Sequence, residues 1–119
     1  MKAMPNYNWD SIEKEQMNPF LTRQVIHGDN MTIARLELKK GCNVPQHSHI
    51  NEQIAMVQSG RIMFSLDGVE TTVGAGESVR IPPNVPHFVD VIEDCVVFDL
   101  FSPRREDWIR GDDAYLRAK

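Results

Sequence analysis

Glycine and proline cut the middle of this 119-residue chain into short lengths. Ser59-Gly60, Asp67-Gly68, Gly74-Ala75-Gly76 and Ile81-Pro82-Pro83-Asn84-Val85-Pro86 leave only Arg61–Leu66, Val69–Val73 and Ser78–Ile81 between them. None of these pieces holds a helix of ordinary length, about 11 residues. Each suits a strand bounded by turns. Upstream, Thr32, Ala34, Leu36 and Leu38 alternate with Ile33, Arg35 and Glu37, the period of a strand with one buried face. Asp67-Gly68 is a strong hairpin signal, and Ser59-Gly60 reads as a second hairpin between Gln53–Gln58 and Arg61–Leu66. Phe88–Ile92 and Cys95–Phe101 read as two final strands. Many short strands separated by turns imply an all-β sandwich or barrel.

The ends differ from the middle. Residues 1–19 are polar, carry Pro5 and Pro19, and read as an arm before a barrel over residues 20–103. In the tail, residues 104–119, Ser102-Pro103 offers a cap and a first-turn proline for a short helix over Arg104–Arg110, stopped by Gly111. The length suggests one domain. Thirteen basic against 17 acidic residues leave a net charge of −4 with no basic run, which argues against nucleic acid or an anionic membrane as partner. No apolar stretch approaches the roughly 20 residues of a membrane span, and the polar N-terminus shows no secretory signal. The expectation is a cytoplasmic protein, with Cys42 and Cys95 as free thiols.

Histidine is where chemistry concentrates. The chain has four, and two stand one residue apart as His47-Ser48-His49, with Gln53 four residues on. Alternate residues of an extended strand share a face, so His47 and His49 can reach one point in space. His87 follows the proline-rich turn. Imidazoles with further N or O donors make a divalent transition-metal site. Glu52 is the alternative to Gln53, but it projects to the other face of a strand over residues 51–53. Cys42 is a weaker candidate ligand, and His27, without a partner nearby in sequence, reads as structural. A neutral amide oxygen beside three imidazoles leaves a divalent cation its full charge, which favours Lewis-acid work on an anionic substrate over stabilising a trivalent state.

These residues resemble the two signatures of the cupin superfamily. The first is a glycine, five residues, His-x-His, a glutamate and a later glycine; Gly41, His47, His49 and Gly60 fall in register, with Gln53 at the glutamate position. The second is matched by Gly76, Pro82 and His87, with Asn84 and Val91 departing from it. The resemblance implies a single-domain, double-stranded jelly-roll barrel.

Phe98-Asp99-Leu100-Phe101-Ser102-Pro103-Arg104-Arg105-Glu106-Asp107-Trp108 is the second informative stretch. Asp99 shares a strand face with Val97 and Phe101, an expensive place for a carboxylate unless it is partnered or functional. Arg105, or Arg104 in its stead, lies just past the turn, where it can meet Asp99 at the barrel mouth. Together with His-x-His-x-x-x-Gln and Ile-Pro-Pro-Asn-Val-Pro-His, this stretch resembles the KdgF-type pectin-degradation cupins from roughly Leu36 to Trp108. That resemblance implies ring opening and ketonisation of 4,5-unsaturated monouronates from pectin or alginate. It implies one divalent metal ion (zinc, nickel, manganese, iron or cobalt) on His47, His49, Gln53 and His87, catalytic Asp99 and Arg105, and substrate contacts from Phe101 and Arg105. It also implies a small anionic sugar as substrate and a homodimer. Another cupin enzyme, a dioxygenase or sugar isomerase, and a non-catalytic sugar-binding cupin stay open at this stage.

Overall fold

A computed structural model describes residues 4–117. A 3-10 turn at Trp9–Ser11 precedes eight strands: β1 (Glu15–Asn18), β2 (Leu21–His27), β3 (Thr32–Leu38), β4 (Asn43–His47), β5 (Glu52–Leu66), β6 (Val69–Gly74), β7 (Ser78–Ile81) and β8 (His87–Ser102). Two short helices follow, α1 (Glu106–Arg110) and α2 (Ala114–Arg117). All strand pairs are antiparallel, in the order β1-β2-β3-β8-β5-β6, with β4 on β8 and β7 on β5. β1 falls within the stretch read as an arm and pairs with β2 through Glu15↔Arg23.

The long strands β5 and β8 belong to both layers of the barrel. The first half of β5 pairs with the second half of β8, next to β3 and β7; the second half of β5 pairs with the first half of β8, next to β4 and β6. The changeover is at Gly60, where the register slips between Ser59↔Val96 and Arg61↔Glu93. Inward residues of β5 are Gln53, Ala55 and Val57 before Gly60 but Ile62 and Phe64 after it, so the pleat changes phase there, as a bulge requires. Two sequence expectations are corrected. Ser59-Gly60 is a bend inside one strand, not a hairpin turn, and Phe88–Ile92 and Cys95–Phe101 are halves of one strand, not two strands. Asp67-Gly68 does turn the chain, with both residues at positive φ (49° and 86°), as the two-residue hairpin needs.

The helix start is corrected as well. Ser102 stays in β8 with its hydroxyl on the Asn30 carbonyl, and α1 begins only at Glu106, with no side-chain cap from Arg105. Gly111 closes α1 in the left-handed conformation (φ 87°), as its position after Arg110 suggests. The core lies between the layers and is formed by Ala34, Ala55, Val57, Ile62, Phe64, Val89, Val97 and Phe101.

The tail folds back across one end of the barrel. Arg23 of β2 donates to Asp113 at 2.9 Å, and both are almost wholly buried. Arg117 donates to the same carboxylate, and Asn18 Nδ2 donates to the Leu116 carbonyl at 2.8 Å. Burial raises the Asp113 pKa, but the bonds from Arg117 and Arg23 outweigh it and hold the carboxyl below its ordinary value. Its contribution to stability is therefore present at neutral pH and lost as pH falls below about 4 through the depressed value. Asp113→Asn takes one of two carboxylate partners from the buried Arg23, which keeps Glu15 at 3.2 Å, and is expected to cost about 1–3 kcal/mol at pH 7. Urea unfolding at pH 7 and pH 3 checks this; equal gaps between wild type and variant at the two values would refute it.

Candidate metal centre

β4 ends at His47, and the strand ladder sets it opposite His87, the first residue of β8. His49 lies in the loop between β4 and β5, and Gln53 is the first inward side chain of β5. The three histidines bring one ligand nitrogen each within 4.8 Å of the others. Their other ring nitrogens are engaged in the same way. Nδ1 of His47 donates to the Pro45 carbonyl (2.8 Å), that of His49 to Asn51 (2.9 Å) and that of His87 to Val85 (2.8 Å). A carbonyl oxygen only accepts, so each Nδ1 carries the hydrogen and each neutral ring keeps its lone pair on Nε2.

Burial favours the neutral rings. It lowers the pKa values of His47 and His49 to about 4, and lowers that of His87 as well. All three are then neutral ligands at neutral pH. Nε2 of His49 also faces Gln53 Oε1 at 3.1 Å. Both atoms carry lone pairs, an arrangement that a cation bound to both satisfies. The donor set, three imidazoles and an amide oxygen, fits a divalent transition metal.

Cys42 is buried outside this cluster, and desolvation pushes its thiol up to about 11, away from the thiolate a metal needs. Glu52 points away from the barrel interior and pairs with Arg80 at 2.6 Å. His27 bonds the Thr32 hydroxyl at 2.8 Å.

Asp99, Phe101 and Arg105 line the same cavity as His47, Gln53 and His87. Its floor is apolar, formed by Leu36, Leu38, Ile62, Phe64, Val89 and Val97. Burial raises the Asp99 pKa to about 7, opposed in part by a bond from Gln53 and by the charge of Arg105. Its Oδ1 is buried without a hydrogen-bond partner. The expected meeting of Asp99 with Arg105 is not an ion pair. Arg105 closes its fork on Asp107, with Nε at 2.9 Å and Nη2 at 2.8 Å, and Nη2 also donates to the Tyr115 hydroxyl at 3.0 Å. The Arg105 guanidinium lies 4.6 Å from the Phe101 ring centre and 4.3 Å from that of Trp108. Arg104 bonds Glu106 and the Gly28 carbonyl instead, so Arg105 is the arginine in the cavity.

The roles of four residues of the site were not read from sequence, although Asp107 and Trp108 stand in the second informative stretch. Asn51 is buried; its amide donates to the carbonyls of Pro103 (2.6 Å) and Arg104 (3.1 Å), while its own carbonyl receives His49. It thus ties the histidine loop to the segment that presents Arg105. Asp107 and Trp108 hold Arg105, and Tyr115 lies against His47 with ring centres 4.5 Å apart. Nothing in the sequence marks the contacts that Asp107, Trp108 and Tyr115 make, because these form only once the tail folds back.

Residues 34–101 match the cupin domain family. The chain is 32% identical over 103 residues to an uncharacterised protein of Streptomyces coelicolor, covering 84% of this chain and 97% of that protein. It is 27% identical to the pectin degradation protein KdgF of Dickeya dadantii, covering 84% of this chain and 94% of that one. Among solved structures, that of KdgF from Halomonas superposes with a TM-score of 0.83 at 24% identity, covering 89% of this chain and 99% of that chain. An RmlC-like cupin from Shewanella frigidimarina does so with 0.83 at 27% identity, covering 89% and 96%. The all-β jelly roll, the histidine cluster and these matches agree: the chain belongs to the cupin family and within it is a KdgF-like cupin.

Proposed function

We propose that the protein is a metal-dependent enzyme that opens and ketonises 4,5-unsaturated monouronates. The observation that carries this reading is a three-histidine cluster, two of whose members line one cavity with an unpartnered buried carboxyl and a buried guanidinium. The relative named for pectin degradation supports a substrate released from that polymer. A divalent ion held by His47, His49, Gln53 and His87 supplies a Lewis acid for the sugar's oxygens.

The conversion is an isomerisation. The bond from the ring oxygen to the anomeric carbon breaks, giving an aldehyde and an enol. The enol then loses its hydroxyl proton and gains one at the vinyl carbon, leaving a ketone. Asp99 suits both transfers, because its Oδ1 faces no protein donor and burial brings its pKa near neutrality. Arg105 spends Nε and Nη2 on Asp107 and Tyr115, which fixes its plane and leaves Nη1 for the uronate carboxylate. Phe101 forms a wall of the cavity beside His49, with ring centres 5.6 Å apart, and the apolar floor excludes water from the enol.

The test is the ultraviolet absorbance of unsaturated galacturonate monomer, followed with and without protein. The expected result is loss of the conjugated band above the spontaneous rate, abolished by a chelator and restored by added metal. Metal-loaded protein that leaves the spontaneous rate unchanged would overturn the reading.

A further inference from the structure

One hydrogen in the cavity wall has no protein acceptor. Tyr115 of α2 lines the cavity together with His47, Asp99 and Arg105. Its hydroxyl lies between two buried side chains, 3.0 Å from Arg105 Nη2 and 3.3 Å from Trp108 Nε1. A guanidinium and an indole nitrogen only donate, so the phenol oxygen accepts from both. Its own hydrogen is left to donate, and no hydrogen bond among the described residues uses it. A donor set between buried groups normally has a partner. The Tyr115 ring also lies 4.5 Å from that of His47, which is partly exposed, so solutes reach this part of the site.

Arg105 has donors left over at the same place. A guanidinium carries five N–H groups in one plane. Nε and Nη2 pair with Asp107, and Nη2 also donates to Tyr115. Nη1 has no partner among the described residues. It shares a carbon with Nη2, so one of its hydrogens points alongside the bond from Nη2 to the phenol. Nη1–H and Tyr115 O–H are therefore neighbouring donors, an arrangement suited to the two oxygens of a carboxylate. Asp107 already offsets the charge of Arg105, with N–O contact at 2.8 Å. A second carboxylate at this guanidinium thus depends on directed hydrogen bonds more than on net charge.

We propose that Tyr115 is a further ligand-binding and specificity-determining residue of this site: its hydroxyl and Arg105 Nη1 together clamp the carboxylate of a small acid. The proposal rests on the uronate reading for which acid is bound, and not for the clamp itself. A neutral sugar presents a hydroxymethyl group with one oxygen where the acid presents two, and so leaves a donor unpaired. The clamp thereby favours uronates over neutral hexoses. The contact of the Tyr115 ring with His47 keeps the clamped acid beside the histidine centre.

The test is a titration of the zinc-loaded full chain, followed by proton–nitrogen NMR, with galacturonate, acetate and galactose added in separate runs. The chain has two tryptophans, hence two indole signals. Trp108 donates to the Tyr115 oxygen, whereas Trp9 packs against Phe98 outside the cavity and serves as control. A phenol that donates to a carboxylate becomes a stronger acceptor. The Trp108 indole proton is therefore expected to move downfield as either acid binds, while Trp9 and the galactose run show no change. Tyr115→Phe keeps the ring and is expected to weaken galacturonate binding about tenfold, the loss of one hydrogen bond to a charged group. The proposal is overturned if Tyr115→Phe binds galacturonate as tightly as wild type, or if galactose moves the Trp108 signal as far as the acids do. A Tyr115-dependent response to acetate without one to galacturonate keeps the clamp and overturns the uronate reading. No Trp108 response to either acid in wild type overturns the clamp, whatever the ultraviolet assay shows of turnover.

Discussion

Gly60→Ala is expected to lower stability by on the order of 4 kcal/mol, a large part of what a domain of this size has. Two effects act together. Gly60 has φ 82°, where any Cβ is strained. An alanine Cβ there would also fall onto the Asp94 carbonyl oxygen, and 2.8 Å from both its carbon and Cys95 Sγ. Neither neighbour can yield, because Asp94 and Cys95 lie inside β8 at the point where its register against β5 slips. Gly41, Gly68, Gly76 and Gly111 also have positive φ, but a Cβ added to them meets nothing within 4 Å. Alanine at those sites costs only the backbone strain, about 1–3 kcal/mol. Thermal unfolding of Gly60→Ala beside Gly76→Ala separates the two contributions. Equal losses in Tm would show that the close approach at Asp94 carries no weight.

Asp99→Asn is expected to reduce turnover of unsaturated uronate by about 100- to 10,000-fold, the range for a lost general acid–base. Asparagine is nearly isosteric, and Asp99 is buried with an oxygen that has no protein donor. The substitution therefore removes proton exchange without removing a structural bond from that oxygen. Metal content per chain is expected to hold, as is Tm or better, since a group kept without a partner for its chemistry costs stability. Full turnover in Asp99→Asn would remove Asp99 from the mechanism. A drop in turnover matched by lost metal would instead give it a structural part in the histidine centre.

Local signals reveal a good deal of this fold, and long-range pairing accounts for what they miss. Asp67-Gly68 was readable because a two-residue turn is complete within its own four residues. Ser59-Gly60 has a similar composition but a different role, which depends on β8 lying alongside with an irregularity of its own near Asp94. A positive-φ glycine looks the same in sequence whether the chain reverses or only bends. The break between Ile92 and Cys95 misled for the same reason: three exposed residues interrupt the buried alternation without ending the strand. Ser102-Pro103 has the composition of a helix start, but Asn51 holds the Pro103 and Arg104 carbonyls and defers the helix to Glu106.

The site divides in the same way. His47, His49 and Gln53 were legible from spacing, although the alternation expected of one strand does not hold: β4 ends at His47, His49 lies in the loop and Gln53 on β5, and only the shortness of that loop keeps them neighbours in space. His87 needed the second motif, and the register His47↔His87 places it. Arg105 was legible as a residue but not in its bonding, because Asp107 and Tyr115 compete for its fork through turns of the tail that no periodicity marks.

β8 is the shared partner of β3, β4 and β5, and its last paired residue is Ser102. On the ribosome, then, most of the chain emerges with exposed strand edges and no partner to close them. Synthesis proceeds at about 5–20 residues per second, so those edges stay open for some seconds. Neither layer of the barrel nor the alignment of His47 with His87 exists until the final strand has been delivered. A nascent chain stalled short of β8 is an aggregation hazard rather than a half-built enzyme.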